Sequence, residues 1–447
     1  MLFRLALLLF LFSAVAPAQS QSAPPTPAAP AAKAPPSVVA GIPVNYDESK
    51  VGTYTLPDPL VLSNGKPVRN PKTWFAKRRP EILEMFTTQQ FGRAPGRPAT
   101  ETFEVTDKGT PALGGKAIRK QITIHLLKDP AAPKIRLLLY TPAAAKKPVP
   151  VLLSISFGPL QFAVDDPGIE PEPMWDPKTN TRVPAKPMRF FRPTDITPLL
   201  DAGIGYATFY YGDVDPDYPS GFSNGIRARY LKPGQKERAP DEWGSIAAWA
   251  WGMSRVEDYF ETDPSVDAKR VAIHGVSRLG KTVVWAGAND QRFALVIASC
   301  SGEGGAALSH RDYGETIAHL TAPSRYPYQF AANYAKYAGF PDKAPFDAHM
   351  LLALIAPRPV LLQTGDEDYW SDPKGEFLAA VAAGPVYKLL GKDPLDTIVW
   401  PPAGQPILHD VGYTMHHGGH GMVPSDWDVY LQFLKMHLHP ESEQPAR

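Results

Sequence analysis

The sequence predicts an α/β fold, with a mostly parallel central sheet and helices on both faces. Three observations lead there. Apolar, β-branched runs of strand length alternate with stretches of helical apolar spacing. Residues 149–157 (VPVLLSISF) are apolar almost throughout and stop at Gly158-Pro159, as a buried strand does. The composition, 44% hydrophobic and 11% aromatic over 447 residues, is enough for a substantial core.

The elements follow in order. Residues 120–127 (KQITIHLL) and 135–140 (IRLLLY) read as strands, followed by 149–157 and 204–210 (IGYATFY). Residues 241–260 carry apolar residues at helical spacing behind an acidic first turn. Residues 269–274 (KRVAIH) form a strand stopping at Gly275, and a helix opens at Ser277 (SRLGKTVVWAGA). Residues 294–298 and 358–364 (RPVLLQT) are strands, 396–400 a short further one, and 427–438 a closing helix. Residues 51–109 are left as an extension at the sheet edge. In such sheets the functional groups sit beyond the carboxyl ends of the strands.

The chain opens with Arg4 and the apolar run Leu5 to Val15, then Ala16-Pro17-Ala18, a small-x-small cleavage signal. The run falls short of the roughly 20 residues a membrane span needs. Residues 1–18 are therefore expected to be a cleaved signal peptide, 19–43 an Ala/Pro-rich tether, and 44–440 one catalytic domain. The protein is expected to be secreted or periplasmic, monomeric and free of membrane. With 46 basic against 45 acidic residues it lacks the basic face of a nucleic-acid binder. Its one cysteine, Cys300, excludes an intrachain disulfide and a multi-cysteine zinc site.

The strand-turn-helix RVAIHGVSRLGKT is the most informative stretch. Gly275 lets the chain turn sharply beside Ser277, whose hydroxyl needs a base before it can attack. The helix N-terminus offers N–H groups to a developing oxyanion. The second glycine, Gly280, falls one place later than in G-x-S-x-G, so spacing alone leaves Ser277 equally readable as a helix N-cap.

GVSRLGK resembles the G-x-S-R-x-G-K signature of the glucuronoyl esterases, carbohydrate esterase family 15. The resemblance runs from about Val149 to the C-terminus. It implies an α/β-hydrolase fold, a serine triad, and cleavage of the ester joining 4-O-methylglucuronic acid on xylan to lignin alcohols. It implies that Arg278 stabilises the oxyanion and that Lys281 meets hydroxyls of the uronic sugar. Of the late histidines His416, His417 and His420, the one shortly before Asp426-Trp427 matches the family base, which selects His420; His417 is its rival. A metal site from His416 and His420 is disfavoured for want of a nearby acid or cysteine cluster.

Fungal members carry the triad glutamate where this chain has Cys300, read here as a small buried hydrophobe. The acid is therefore expected after the late strand, in Gly365-Asp366-Glu367-Asp368, where some bacterial members place theirs. Asp368 is the choice, with Asp366, Asp372 and Glu303 as alternatives. Trp370 matches a family tryptophan that lines the uronate pocket, and Glu315 a glutamate that accepts sugar hydroxyls. Arg311 is expected to pair with a carboxylate, and the Phe157–Gln161 loop to flank the oxyanion. No metal or organic cofactor is implied. Another α/β-hydrolase esterase (acetyl or feruloyl), or a silent carbohydrate-binding protein, are the other readings.

Overall fold

The computed structural model describes residues 35–187, 193–235 and 238–439. The expected signal peptide and most of the tether lie outside them. The last tether residues are structured: Val38–Val39 pairs antiparallel with Ile42–Pro43.

One nine-stranded sheet organises the body. Its strands are β1 (Thr102–Ala112), β2 (Ala117–His125), β3 (Lys134–Pro142), β4 (Val149–Ser156) and β5 (Gly205–Tyr210), followed by β6 (Val266–Val276), β7 (Leu295–Ser299), β8 (Val360–Gly365) and β9 (Val411–His416). Their spatial order is β9-β8-β7-β6-β4-β5-β3-β2-β1. From β9 to β5 all pairings are parallel; β3, β2 and β1 extend the sheet antiparallel. This is the α/β-hydrolase architecture that the resemblance implied, with the edge extension supplied partly by residues 51–109.

Both faces are covered, which explains the apolar runs. Val271 and Ile273 of β6 enter one core and Ala272 the other; Val296 and Ala298 of β7 oppose Leu295 and Ile297 in the same way. On the first face lie α1 (Ser245–Phe260), α2 (Arg278–Asn289) and α3 (Pro373–Leu389); on the second lies α4 (Pro424–Leu438). All sixteen residues of α1 are buried.

Two expectations need correction. Residues 241–244 do not begin the helix, which starts at Ser245 without an acidic first turn. Tertiary pairing overrides local preference there: Gly244 N–H donates to Phe91 O at 2.9 Å, and Asp241 takes Arg93 at 3.0 Å. Residues 396–400 form no strand. Ile398 and Val399 are 81% and 72% exposed, so their β-branching finds nothing to pack against. The last strand is β9, which the sequence reading passed over.

A buried polar chain crosses the carboxyl ends of five adjacent strands. Ser154 (β4) bonds His274 (β6) at 2.9 Å, and His274 bonds Ser299 (β7) at 3.3 Å. Ser299 meets Tyr430 of α4 at 2.7 Å, and Tyr430 donates to Gln363 (β8) at 3.1 Å. Gln363 reaches His416 (β9) at 2.8 Å, whose Nε2 lies 3.1 Å from Gly419 O in the next loop. Burial holds His274 neutral, with its pKa down to about 4, so one ring nitrogen donates and the other accepts.

Candidate active site

Ser277 stands at the top of β6, between that strand and α2. Its φ of 59° and ψ of −127° lie where residues with a Cβ settle only under constraint. The constraint is visible. Ser277 N–H donates to Ser299 O at 2.8 Å, and Ser277 O accepts from Lys281 N–H at 3.0 Å. A Cβ on Gly275 would sit 2.3 Å from Leu279 O, and one on Gly280 2.8 Å from Ser299 O. The second glycine is therefore needed where α2 crosses β7, three residues after the serine rather than two. Gly275→Ala is expected to destabilise the protein by about 3 kcal/mol or more, because the obstructing atoms are backbone. Chemical denaturation measures it, and an unchanged midpoint would contradict this packing.

Arg278 follows the serine. Its Nη1 pairs with Asp217, and its guanidinium lies 4.9 Å from the Tyr326 ring centroid and 6.0 Å from that of Phe157. Asp217 is itself held by Gln329 at 2.6 Å, Tyr328 at 3.0 Å and Tyr211 at 3.2 Å. Burial opposes the charge of Arg278, but Asp217, Tyr211 and Tyr326 outweigh it and raise its pKa. The Phe157–Gln161 loop thus brings its first residue to the Arg278 guanidinium. Asp217 was missed; its signal was the acid-rich stretch Asp213 to Asp217 just beyond a strand end.

One turn on, Lys281 is buried and donates to Ser301 O at 2.7 Å, with Glu315 at 3.8 Å. Burial lowers its pKa. Glu315 also pairs with Arg325 at 3.0 Å, and its N–H donates to Trp370 O at 2.8 Å. Trp370 is half-buried, with the Arg325 guanidinium 5.5 Å and the His319 ring 5.2 Å from its ring. Lys281, Glu315 and Trp370 thus gather in one place, and Arg325, unmarked by any motif, joins them.

The three histidines separate by partner. His416 is buried; Asp426, 3.0 Å from its Nδ1, raises its pKa. It supports the loop and has no part in a cation site with His420. His417 is exposed and pairs with Asp366 at 2.8 Å. His420 is 43% exposed at its side chain, and its Nδ1 lies 2.7 Å from Oδ2 of buried Asp368 and 3.2 Å from Ser371 Oγ. That contact fixes the ring's orientation through Nδ1, leaving Nε2 free of it.

The alternative acids are committed elsewhere. Asp372 caps α3 through Gly375 N–H and accepts from Arg311 at 2.8 Å; burial pushes its pKa up to about 6. Arg311 also pairs with Glu48. Glu303 bonds Ser309 and Tyr334, each at 2.7 Å, with burial raising its pKa to about 8.

Cys300 is buried, and its role as a mere filler is incomplete. Its Sγ, one His420 ring nitrogen and one Asp368 carboxylate oxygen all lie within 4.8 Å of one another. Its S–H donates to Gly421 O at 3.3 Å, and Gly421 N–H returns to Sγ at 3.5 Å. Burial and the Asp368 charge raise the thiol pKa well above its usual value. Among the described residues no helix is long and apolar enough to cross a membrane.

A family model described as "Glucuronyl esterase, fungi" matches residues 235–391. Carbohydrate esterase MZ0003, from an unknown prokaryotic organism, is 44% identical over 402 residues, 88% of this chain and 92% of that protein. The solved glucuronoyl esterase from Solibacter usitatus is 45% identical, covers 87% of this chain and 100% of its own, and superposes with a TM-score of 0.82. A promiscuous CE15 esterase from a marine bacterial metagenome is 43% identical, over 88% of this chain and 100% of its own, with a TM-score of 0.80. An elbow serine followed by arginine, a histidine seated on a buried aspartate, and likeness over nearly the whole body agree: the chain belongs to carbohydrate esterase family 15, the glucuronoyl esterases.

Proposed function

We propose that this chain hydrolyses 4-O-methyl-glucuronoyl esters between xylan and lignin alcohols, with Ser277, His420 and Asp368 as its triad. The observation that carries the reading is the 2.7 Å contact of Asp368 with His420 Nδ1, in a chain whose elbow serine is held at positive φ. His420 Nε2 takes the Ser277 proton as Oγ attacks the uronate carbonyl, and Asp368 stabilises the resulting imidazolium. The Arg278 N–H groups not engaged by Asp217 meet the developing oxyanion together with the backbone N–H at the start of α2. The imidazolium then protonates the departing alcohol. Water, activated by the same histidine, cleaves the acyl-enzyme.

Lys281, Glu315 and Trp370 form the sugar side. An ammonium with one donor on Ser301 O keeps others for hydroxyls, and an indole gives a sugar ring a flat apolar face. The reaction as drawn uses water as its only co-reactant. Export fits a polymer outside the cell, and the Arg4 to Ala18 segment would supply the signal. The test is hydrolysis of benzyl glucuronate beside benzyl galacturonate and 4-nitrophenyl acetate. A strong preference for the glucuronate is expected. Turnover of the acetate alone would keep the serine chemistry and discard the uronate pocket.

A further inference from the structure

We propose that Cys300, Asp368 and His420 form an inhibitory site for a thiophilic divalent cation of the zinc and cadmium class. The inference rests on the proposed role of His420. Three elements deliver three different ligand types: a thiol from the turn after β7, a carboxylate from the turn after β8, and an imidazole from the loop after β9. Soft sulfur with imidazole and one carboxylate suits zinc-like ions, not magnesium or calcium.

The distances fit a small adjustment. Ligand atoms around a tetrahedral ion stand roughly 3.3–3.6 Å apart, given metal bonds of about 2.0–2.3 Å. The Asp368–His420 contact of 2.7 Å must open by less than about 1 Å, and Cys300, within 4.8 Å of both, must close by up to about 1.5 Å. His420 lies on a loop with Gly418, Gly419 and Gly421, where φ reaches 132° at Gly418 and 121° at Gly421, and its ring is partly open to solvent. An ion can therefore reach the inner ligands from the histidine side.

The cation disables the base by moving a hydrogen. Binding at Nδ1 uses the lone pair of the other imidazole tautomer, so the ring hydrogen resides on Nε2. That nitrogen then has no lone pair for the Ser277 proton. Cys300 gives its thiol proton to solvent, Asp368 binds as the carboxylate, and no electron is transferred. A glutamate at position 300 would offer oxygen in place of sulfur, so the soft-ion preference is particular to the cysteine.

Cadmium titration of the mature chain tests this, because Cys300 is the sole thiol and a cadmium–thiolate charge-transfer band reports it alone. One equivalent is expected to develop the band as hydrolysis is lost. Cys300→Ala should show no band, keep hydrolysis within about twofold, and need at least roughly tenfold more cadmium for inhibition. Cys300→Ser provides a second variant of near-native shape with the same expected loss of the band. A wild-type chain inhibited without the band, or cysteine variants inhibited at the wild-type concentration, would overturn the proposal. The band is read without substrate, so an error in the assigned ester leaves the binding result standing.

Discussion

Ser277→Ala is expected to abolish ester hydrolysis, lowering kcat by on the order of 10⁶, the scale seen when a serine nucleophile is removed. The change deletes one oxygen and keeps the Cβ, so the backbone at φ 59° has the same sterics. The bonds from Ser277 N–H to Ser299 O and from Lys281 N–H to Ser277 O survive it. The unfolding midpoint should hold while turnover disappears. Binding of a glucuronate ester should persist, because Arg278, Lys281, Glu315 and Trp370 are untouched. Turnover near the wild-type rate would remove Ser277 from the mechanism.

Asp368→Asn is expected to lower kcat about 10⁴-fold with little change in KM. An asparagine keeps the shape but offers His420 Nδ1 a neutral amide that neither enforces the tautomer nor stabilises the imidazolium. The residue lies behind the ring, so substrate affinity should not register the change. The paired control is Asp366→Asn. Asp366 accepts from exposed His417 at 2.8 Å and from Gly418 N–H, whereas His420 is held by Asp368, so that variant should remain active. Equal losses in the two variants, read from kcat and KM separately, would make the Asp368 assignment untenable.

Most of the parallel half of the sheet was legible because its strands are buried on both faces and read as apolar runs; β9, with Gly412, Thr414 and His416 in its six residues, does not read so and was passed over. The edge strand β1 was not legible either. Its pattern is largely exposed and contains Gly109 and Pro111, which local preference counts against a strand. The start of α1 was misread because the bond from Gly244 to Phe91 joins residues far apart in sequence. At the site, the serine, histidine and aspartate candidates came from motif and chain order. The pairing of Asp368 with His420 was expected from the sequence, whereas the partners of His416 and His417 came only from the fold. Asp366 and Asp368 differ by two places, yet one faces His417 and the other His420. Asp217 and Arg325 escaped notice because each acts through a cation or carboxylate brought from elsewhere.

The polar chain from Ser154 to Gly419 has a consequence for how this molecule fails. Its links belong to five strands and a helix, and its last one holds the loop that presents His420. Displacing that loop costs the bond to Gly419 O, and breaking the chain at one link strands a buried polar group. Misalignment of the base and melting of the sheet's carboxyl edge are thus expected to be coupled. On warming, activity and the sheet's carboxyl edge are therefore expected to be lost together, read as coinciding midpoints of turnover and of unfolding.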